Sequence, residues 1–294
     1  MSRKRHCWGV YRERPHSPGR VNDDAAIVQA VAEALADHGF TVGLLDADAA
    51  EAALEDPRAG IFAMCEQDAI LTRLQRAVDT GAVVVNTPAA IRNTYRTRTV
   101  ERFAKLGVPS PTSWILSTDN PPAPPAPEVW IKRADFHATQ ADDVLFAGDE
   151  NEWFDGLALF ARRGMERVVV QTHAPGDLIK FYGVAGTEGS EPWFDWFYHK
   201  DQTLAGHAFD RARLAAVAFQ AAHALGVEVF GGDAIVGADG SPVVIDLNAW
   251  PSFAVRRAAA APVIARYLAH AFTREAAPAA QPLTPQAGLA ITNG

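Results

Sequence analysis

Gly231-Gly-Asp-Ala-Ile-Val-Gly-Ala-Asp-Gly-Ser-Pro-Val-Val-Ile-Asp-Leu-Asn248 is two alternating apolar runs around Asp239-Gly240. Asp-Gly is the favoured pair for a two-residue type I′ hairpin turn. With that turn Ala238 faces Ser241, and Asp233 falls directly opposite Asp246, at the roughly 4.5 to 5.5 Å Cβ spacing of cross-strand neighbours. Asn248 shares the face of Asp246 by the two-residue period of a strand. Two carboxylates and an amide oxygen thus converge on one patch of an otherwise apolar hairpin. Facing like charges destabilise a sheet, so the patch calls for a positive counterpart. A few all-oxygen donors favour a hard divalent cation, Mg²⁺ or Mn²⁺ in its place, over zinc. A Lys or Arg partner, or a bulge that separates the two carboxylates, is the other reading of the same residues.

The chain around the hairpin reads as α+β. A helix capped by Asp210 carries Leu214, Val217, Ala221 and Leu225 on one face and stops at Gly226. Apolar runs at 113–116, 129–132, 143–146, 168–171, 178–184 and 193–198 read as strands, with helices near 153–160 and 254–272. Another helix is expected over 94–106, closed by Gly107 and the Pro109/Pro111 pair. The proline run at 119–127 reads as an exposed polyproline spacer, and residues 276–294 as a flexible tail. Lys132 and Lys180 stand in strands. Either alone reads as an edge or solvent-facing position; beside a metal patch both become point cations for phosphate, with Arg96 and Arg98 similar candidates. In the aromatic block Trp193-Phe-Asp-Trp-Phe-Tyr-His-Lys200, Trp193 and Phe197 read as core, and Asp195, His199 and Lys200 as substrate contacts.

From Trp8 to Asn86 short apolar runs alternate with helical periodicity, the pattern of β-α units on a parallel sheet. The first helix carries Ala25, Val28, Ala32 and Leu35 on one face, is capped by Asn22 and ends before Gly39. Doubly wound sheets bind ligands in loops after strand C-terminal ends, here a loop with Arg12, Arg14, His16 and Arg20.

Composition narrows the function classes. The 294 residues are 48% apolar and 21% charged, enough to bury one large core or two moderate ones. Lys plus Arg number 27 against 35 for Asp plus Glu, a net charge of -8, which argues against nucleic acid or an anionic membrane as partner and for a small molecule. Two cysteines make no disulfide framework, and the basic start leads into no apolar leader, so a cytoplasmic location is expected. A homodimer stays open. No run approaches the roughly 20 apolar residues of a membrane span. No Walker-type phosphate loop, G-x-G-x-x-G, H-E-x-x-H or C-x-x-C occurs.

The order of segments resembles the ATP-grasp superfamily over roughly residues 8–272. The residues that carry the resemblance are Val85-Asn-Thr-Pro88, Arg96, Gly107-Val-Pro-Ser-Pro111, the strand ending in Lys132, Val168-Val-Val-Gln-Thr-His-Ala-Pro-Gly-Asp-Leu-Ile-Lys180, Gly232-Asp233 and Ile245-Asp-Leu-Asn-Ala-Trp-Pro251. The last matches the family's acidic-x-Asn metal motif and is the most specific. The resemblance implies an N-terminal doubly wound α/β domain (1–88), then an ATP-grasp fold of two α+β subdomains (89–172 and 173–275). It implies ATP and Mg²⁺ as cofactors. Lys132 and Arg96 would meet the phosphates, Gln171, Thr172, His173 and Ala174 the adenine, and Asp177 the ribose. Asp233, Asp246 and Asn248 would hold Mg²⁺. The loop after Lys132 lacks the family's usual glycines, so His137 or Arg133 would stand in there.

Most members are ligases that phosphorylate a carboxylate and pass the acyl group to an amine or thiol. The glutathione synthetase and amino-acid ligase branch is the nearest in pattern, with Lys180 or Arg256 stabilising the acyl phosphate and Arg12 contacting substrate. The same site also resembles the inositol polyphosphate kinases of this fold. Glu66, in Ala63-Met-Cys-Glu-Gln67, suits a polyphosphate poorly. A silent nucleotide-binding scaffold is the third reading, disfavoured by the complete acidic ligand set.

Overall fold

Short, largely apolar strands separated by amphipathic helices build the first third of the chain. A computed structural model describes residues 5–54, 59–135 and 140–273. Strands β1 (Arg5–Val10), β2 (Phe40–Leu45), β3 (Gly60–Ala63) and β4 (Val83–Val85) form a parallel sheet in the order β2-β1-β3-β4. Helices α1 (Val21–Asp37) and α2 (Asp68–Asp79) cross over between them. Because β2 and β3 lie on opposite sides of β1, the sheet's topological switch point is between β1 and β3. Asn22 does not cap α1: the helix already includes it, and Arg20 stands at the N-cap without a side-chain hydrogen bond.

The helix expected over 94–106 is present, and a separate short helix precedes it. Thr87 caps α3 (Pro88–Asn93) by accepting from the Ala90 amide, and α4 (Arg96–Leu106) follows after a break and ends at Gly107 with φ 64°. Next, β5 (Ser113–Ser117), β6 (Val129–Arg133), β7 (Val144–Ala147) and β8 (Arg167–Thr172) make an antiparallel sheet, order β5-β8-β6-β7, covered by α5 (Glu150–Arg162). Val129, Ile131, Trp153, Leu157, Phe160 and Val170 fill the space between. The proline run is anchored as well as spacing: Trp153 Nε1 donates to the Pro122 carbonyl at 3.0 Å.

A third, antiparallel sheet has the order β10-β9-β11-β12, from β9 (Asp177–Val184), β10 (Trp193–Tyr198), β11 (Val229–Val236) and β12 (Pro242–Ala249). Helix α6 (Arg211–Leu225) backs it, capped by Asp210 and ended by Gly226 at φ 77° as the sequence predicts. Helix α7 (Arg257–Thr273) closes the described chain. The fold is therefore mixed α/β, one parallel sheet and two antiparallel ones.

Packing joins helices to sheets across the chain. α3 and α4, assigned by sequence to residues 89–172, share one core with α6 and the β9–β12 sheet through Ala90, Ile91, Phe103, Leu214, Phe230 and Leu247. α7, assigned to residues 173–275, packs with α1 and the parallel sheet through Val28, Leu35, Ile264 and Leu268. Burying each such side chain contributes roughly 1.5 to 3 kcal/mol, so the apolar face decides where a helix docks, not its neighbours in sequence. The 276–294 segment lies outside the described residues. Cys7 and Cys65 are free and buried; burial pushes the Cys7 thiol up to about 12 and Cys65 further. No described helix is long and apolar enough to cross a membrane.

Candidate active site

The acidic hairpin reaches its expected pairing by an unexpected route. The Gly240 amide donates to the Gly237 carbonyl at 2.9 Å, and Gly240 takes φ 71°. This is the three-residue loop of a type I turn followed by a left-handed glycine, not the two-residue I′ turn. It pairs Val236 with Pro242, Ile235 with Val243 and Ala234 with Val244, one residue off the expected register. A bulge at Ile245 then restores it, so Asp233 does face Asp246 and Gly231 faces Asn248. The bulged residue's carbonyl accepts from Lys132 Nζ at 3.1 Å.

Each carboxylate has a cation beside it. Lys180 is the cross-strand partner of Asp233 on β9, with Nζ 2.8 Å from Asp233 Oδ1. Arg96, at the start of α4, lies with Nη2 3.7 Å from Asp246 Oδ2. The cationic reading of the patch is thus realised in the protein alone. Burial pulls Lys132 down to about 8 despite the attraction of Asp246, while Arg96 lowers it further. Burial likewise raises Asp233 above the usual carboxylate range, against the pull of Lys180.

The same residues still fit a nucleotide with a divalent ion. Arg96 Nε is buried without a hydrogen-bond partner, and no side-chain hydrogen bond is made by Asn248 among the described residues. Three cations around two carboxylates suit a polyanion that carries its own counter-ion. Among the described residues no group of three or more His, Cys, Asp and Glu can hold a metal. A cation here would therefore rest on Asp233, Asp246 and Asn248, with phosphate and water completing the shell, the habit of Mg²⁺.

The expected adenine segment follows β8. Thr172 and His173 give their amides to Thr112 and Glu128, leaving the Ala174 amide without a partner among the described residues. Trp130 Nε1 donates to His173 Nδ1 at 3.1 Å, and Gln171 Nε2 donates to Ser113 Oγ at 3.2 Å. Asp177, expected at the ribose, faces the loop before α6. Its two oxygens accept the amides of Ala205 (2.6 Å) and His207 (2.9 Å), clasping the loop before α6. Burial alone would raise it, but these amides hold it below the usual carboxylate value. His137 lies outside the described residues.

Beside Lys180, Asp233 and Asn248 a cavity of about 580 Å³ opens between the third sheet and the loops that follow β1 and β3, at the switch point. His199 and Lys200, two of the residues expected to meet substrate, line it, and so do His16, Arg20, Tyr182 and Pro251. Arg12 lines it too, but its guanidinium is committed. It pairs with Glu66, lies 3.3 Å from Asp24, and donates to the Trp250 carbonyl at 2.8 Å. Burial would lower its pKa, yet Glu66 and Asp24 hold it above the ordinary value. Arg12, expected as a substrate contact, thus stands at the cavity wall as an internal tie. Asp195 and Arg256 are brought together, 2.6 Å apart, but not at the cavity wall. Sequence reasoning missed Asp24, which read as an ordinary acidic residue in a helix's first turn, and Tyr182, hidden by strand alternation.

No family model and no curated protein matches the sequence. Solved structures do match. A RimK-domain ATP-grasp protein from Sphaerobacter thermophilus superposes with TM-score 0.63 at 18% identity, over 89% of this chain and 98% of that one. The D-cycloserine synthetase DcsG gives 0.63 at 15% identity, over 91% and 99%. The D-alanine-D-alanine ligase from Coxiella burnetii gives 0.67 at 12% identity, over 91% and 94%. With a parallel sheet, two antiparallel sheets around an acidic hairpin, and these superpositions, the chain has the ATP-grasp fold.

Proposed function

We propose that this protein is an ATP- and Mg²⁺-dependent ligase that joins a carboxylate to an amine or thiol through an acyl phosphate. The observation that carries the reading is the charged row Lys180, Asp233 and Asp246 across three neighbouring strands, flanked by Lys132 and Arg96 and opening on the 580 Å³ cavity. Several solved structures of this fold are ligases or synthetases, among them a D-alanine-D-alanine ligase from Bacillus anthracis with ATP and the ligase PsnB with a precursor peptide and AMPPNP.

Lys132 and Arg96 bind the phosphates from the small sheet and from α4. Asp233, Asp246 and Asn248 hold Mg²⁺, which when bound neutralises phosphate charge and orients the terminal phosphoryl group. Lys180, between the phosphates and the cavity, holds the substrate carboxylate in line. A carboxylate oxygen attacks the terminal phosphorus and the bond to the ADP oxygen breaks. The amine or thiol then attacks the acyl carbon, and phosphate departs as the nucleophile loses its proton. Little covalent help from the protein is needed, only positioning and charge. Arg256, locked to Asp195 beside the Phe197 ring, reaches the acyl phosphate only if that pair opens.

Hydroxylamine tests the chemistry. With Mg-ATP and a panel of carboxylates, the reading expects a substrate-dependent hydroxamate. A substrate-dependent phosphate ester with no hydroxamate makes the protein a kinase instead.

A further inference from the structure

Two residues beyond Asn248 the chain turns sharply. Trp250 takes φ 43° and Phe253 φ 51°, a left-handed conformation that bulky side chains rarely adopt. Such strain persists only where the surroundings over-determine it. At Trp250 the amide donates to the Val229 carbonyl of β11 at 2.9 Å, and two further contacts hold the residue from outside that sheet. The indole stacks on Phe62 of β3 with centroids 5.6 Å apart, and the carbonyl accepts from Arg12 Nη2 at 2.8 Å. Both come from the parallel sheet, not from the sheet that bears the acidic hairpin.

Arg12 is itself fixed from three directions. It pairs with Glu66 after β3, lies beside Asp24 of α1, and its side chain is 7% exposed. Behind it the Glu13 carboxylate accepts the amides of Glu66 and Gln67 at 2.9 to 3.1 Å. Ser17 Oγ donates to Asp24 at 2.6 Å. This buried network is built to hold one planar guanidinium fork in one place, and the fork's free arm ends on Trp250.

We infer that Arg12 is a positioning residue for the metal: it fixes the end of β12, and hence the Asn248 side chain, from the N-terminal domain. The inference rests on the proposed role of Asn248 as a metal ligand.

The test is the Mg²⁺ concentration that gives half of the ADP-dependent rise in melting temperature, for the full chain and three variants. Arg12→Lys keeps the charge but loses the fork, and is expected to raise that midpoint about tenfold, the scale on which partners of a metal ligand act. Phe62→Leu, which loosens Trp250 without stranding a buried charge, is expected to raise it in the same direction, and carries the test should Arg12→Lys fail to fold. Asp24→Asn weakens the network but leaves the arm to Trp250, and is expected to lower the melting temperature without Mg²⁺ while keeping the midpoint within about twofold. An unchanged midpoint in both Arg12→Lys and Phe62→Leu, with normal Mg²⁺ dependence in the parent, overturns the inference alone. So does an equal rise in Asp24→Asn, which marks general loosening. A parent protein with no Mg²⁺ dependence overturns the metal assignment and the inference with it.

Discussion

Lys132 reaches the bulged Ile245 carbonyl from a buried position, and burial holds its ammonium down to about 8. The charged form is the one that binds phosphate. Nucleotide affinity should therefore weaken as pH rises through about 8, by up to about tenfold per unit in the limit. Lys132→Arg should flatten the profile, since a guanidinium stays charged there. Titrating ADP with Mg²⁺ between pH 7 and 9.5 decides it; a flat profile in the parent removes Lys132 from the phosphate site. Asp246 answers a different question. With Arg96 and Lys132 close by, its loss strands buried cations more than it relieves repulsion from Asp233. Asp246→Asn keeps shape and hydrogen bonding. It should abolish the Mg²⁺ response to ADP while lowering the melting temperature without metal by a few degrees at most. An intact response would reduce Asp246 to a structural partner of Arg96.

At the scale of elements, the hairpin shows what pattern reading catches and what it misses. The opposition of Asp233 and Asp246 follows from alternation, and Asp210 and Gly226 bound α6 as composition says. The turn does not follow, because Asp-Gly serves both a two-residue loop and a type I turn whose glycine closes a three-residue one. Tertiary contact decides: the loop before α6 passes so close that a Cβ on Gly240 would sit 2.7 Å from the Ala208 carbonyl. The I′ expectation and the bulge at Ile245, which restores the pairing where a bulge was expected to separate the carboxylates, offset each other, so the site pairing is right for an incomplete reason. Gly240→Ala tests this account. A left-handed alanine costs roughly 1 to 2 kcal/mol before the clash, so the melting temperature should drop by several degrees. A neutral substitution would mean that the turn relaxes freely.

Across the whole molecule, the strands were legible because each needs only local alternation and turn signals, whereas strand order and the docking of α3, α4 and α7 depend on faces that meet far apart in sequence. The same long-range logic hid Arg12, a surface-loop residue by sequence that is tied to Trp250 across 238 positions. One joint between domains carries a titratable group. Glu228 precedes β11, where Asn86 accepts its amide at 2.7 Å, and burial lifts its carboxyl to about 7 from 4.5 against a hydrogen bond from Tyr267. A raised carboxyl pKa means that stability is greatest below the unfolded value and is lost as pH rises from about 4.5 to 7. Glu228→Gln should thus stabilise relative to the parent, with the gain growing from pH 5 to 8 to the order of 2 kcal/mol. Thermal melts across that range check it; a gain independent of pH would contradict it.

The central claim is that nucleotide and metal meet at the Asp233/Asp246/Asn248 hairpin. The most direct measurement is the melting temperature with saturating ADP, once in Mg²⁺ and once in EDTA. At about 100 times its dissociation constant, the nucleotide adds roughly 2.7 kcal/mol, several degrees for a chain of this size. That rise is expected in Mg²⁺ and its loss in EDTA. An equal rise in both, or none in either, would contradict it.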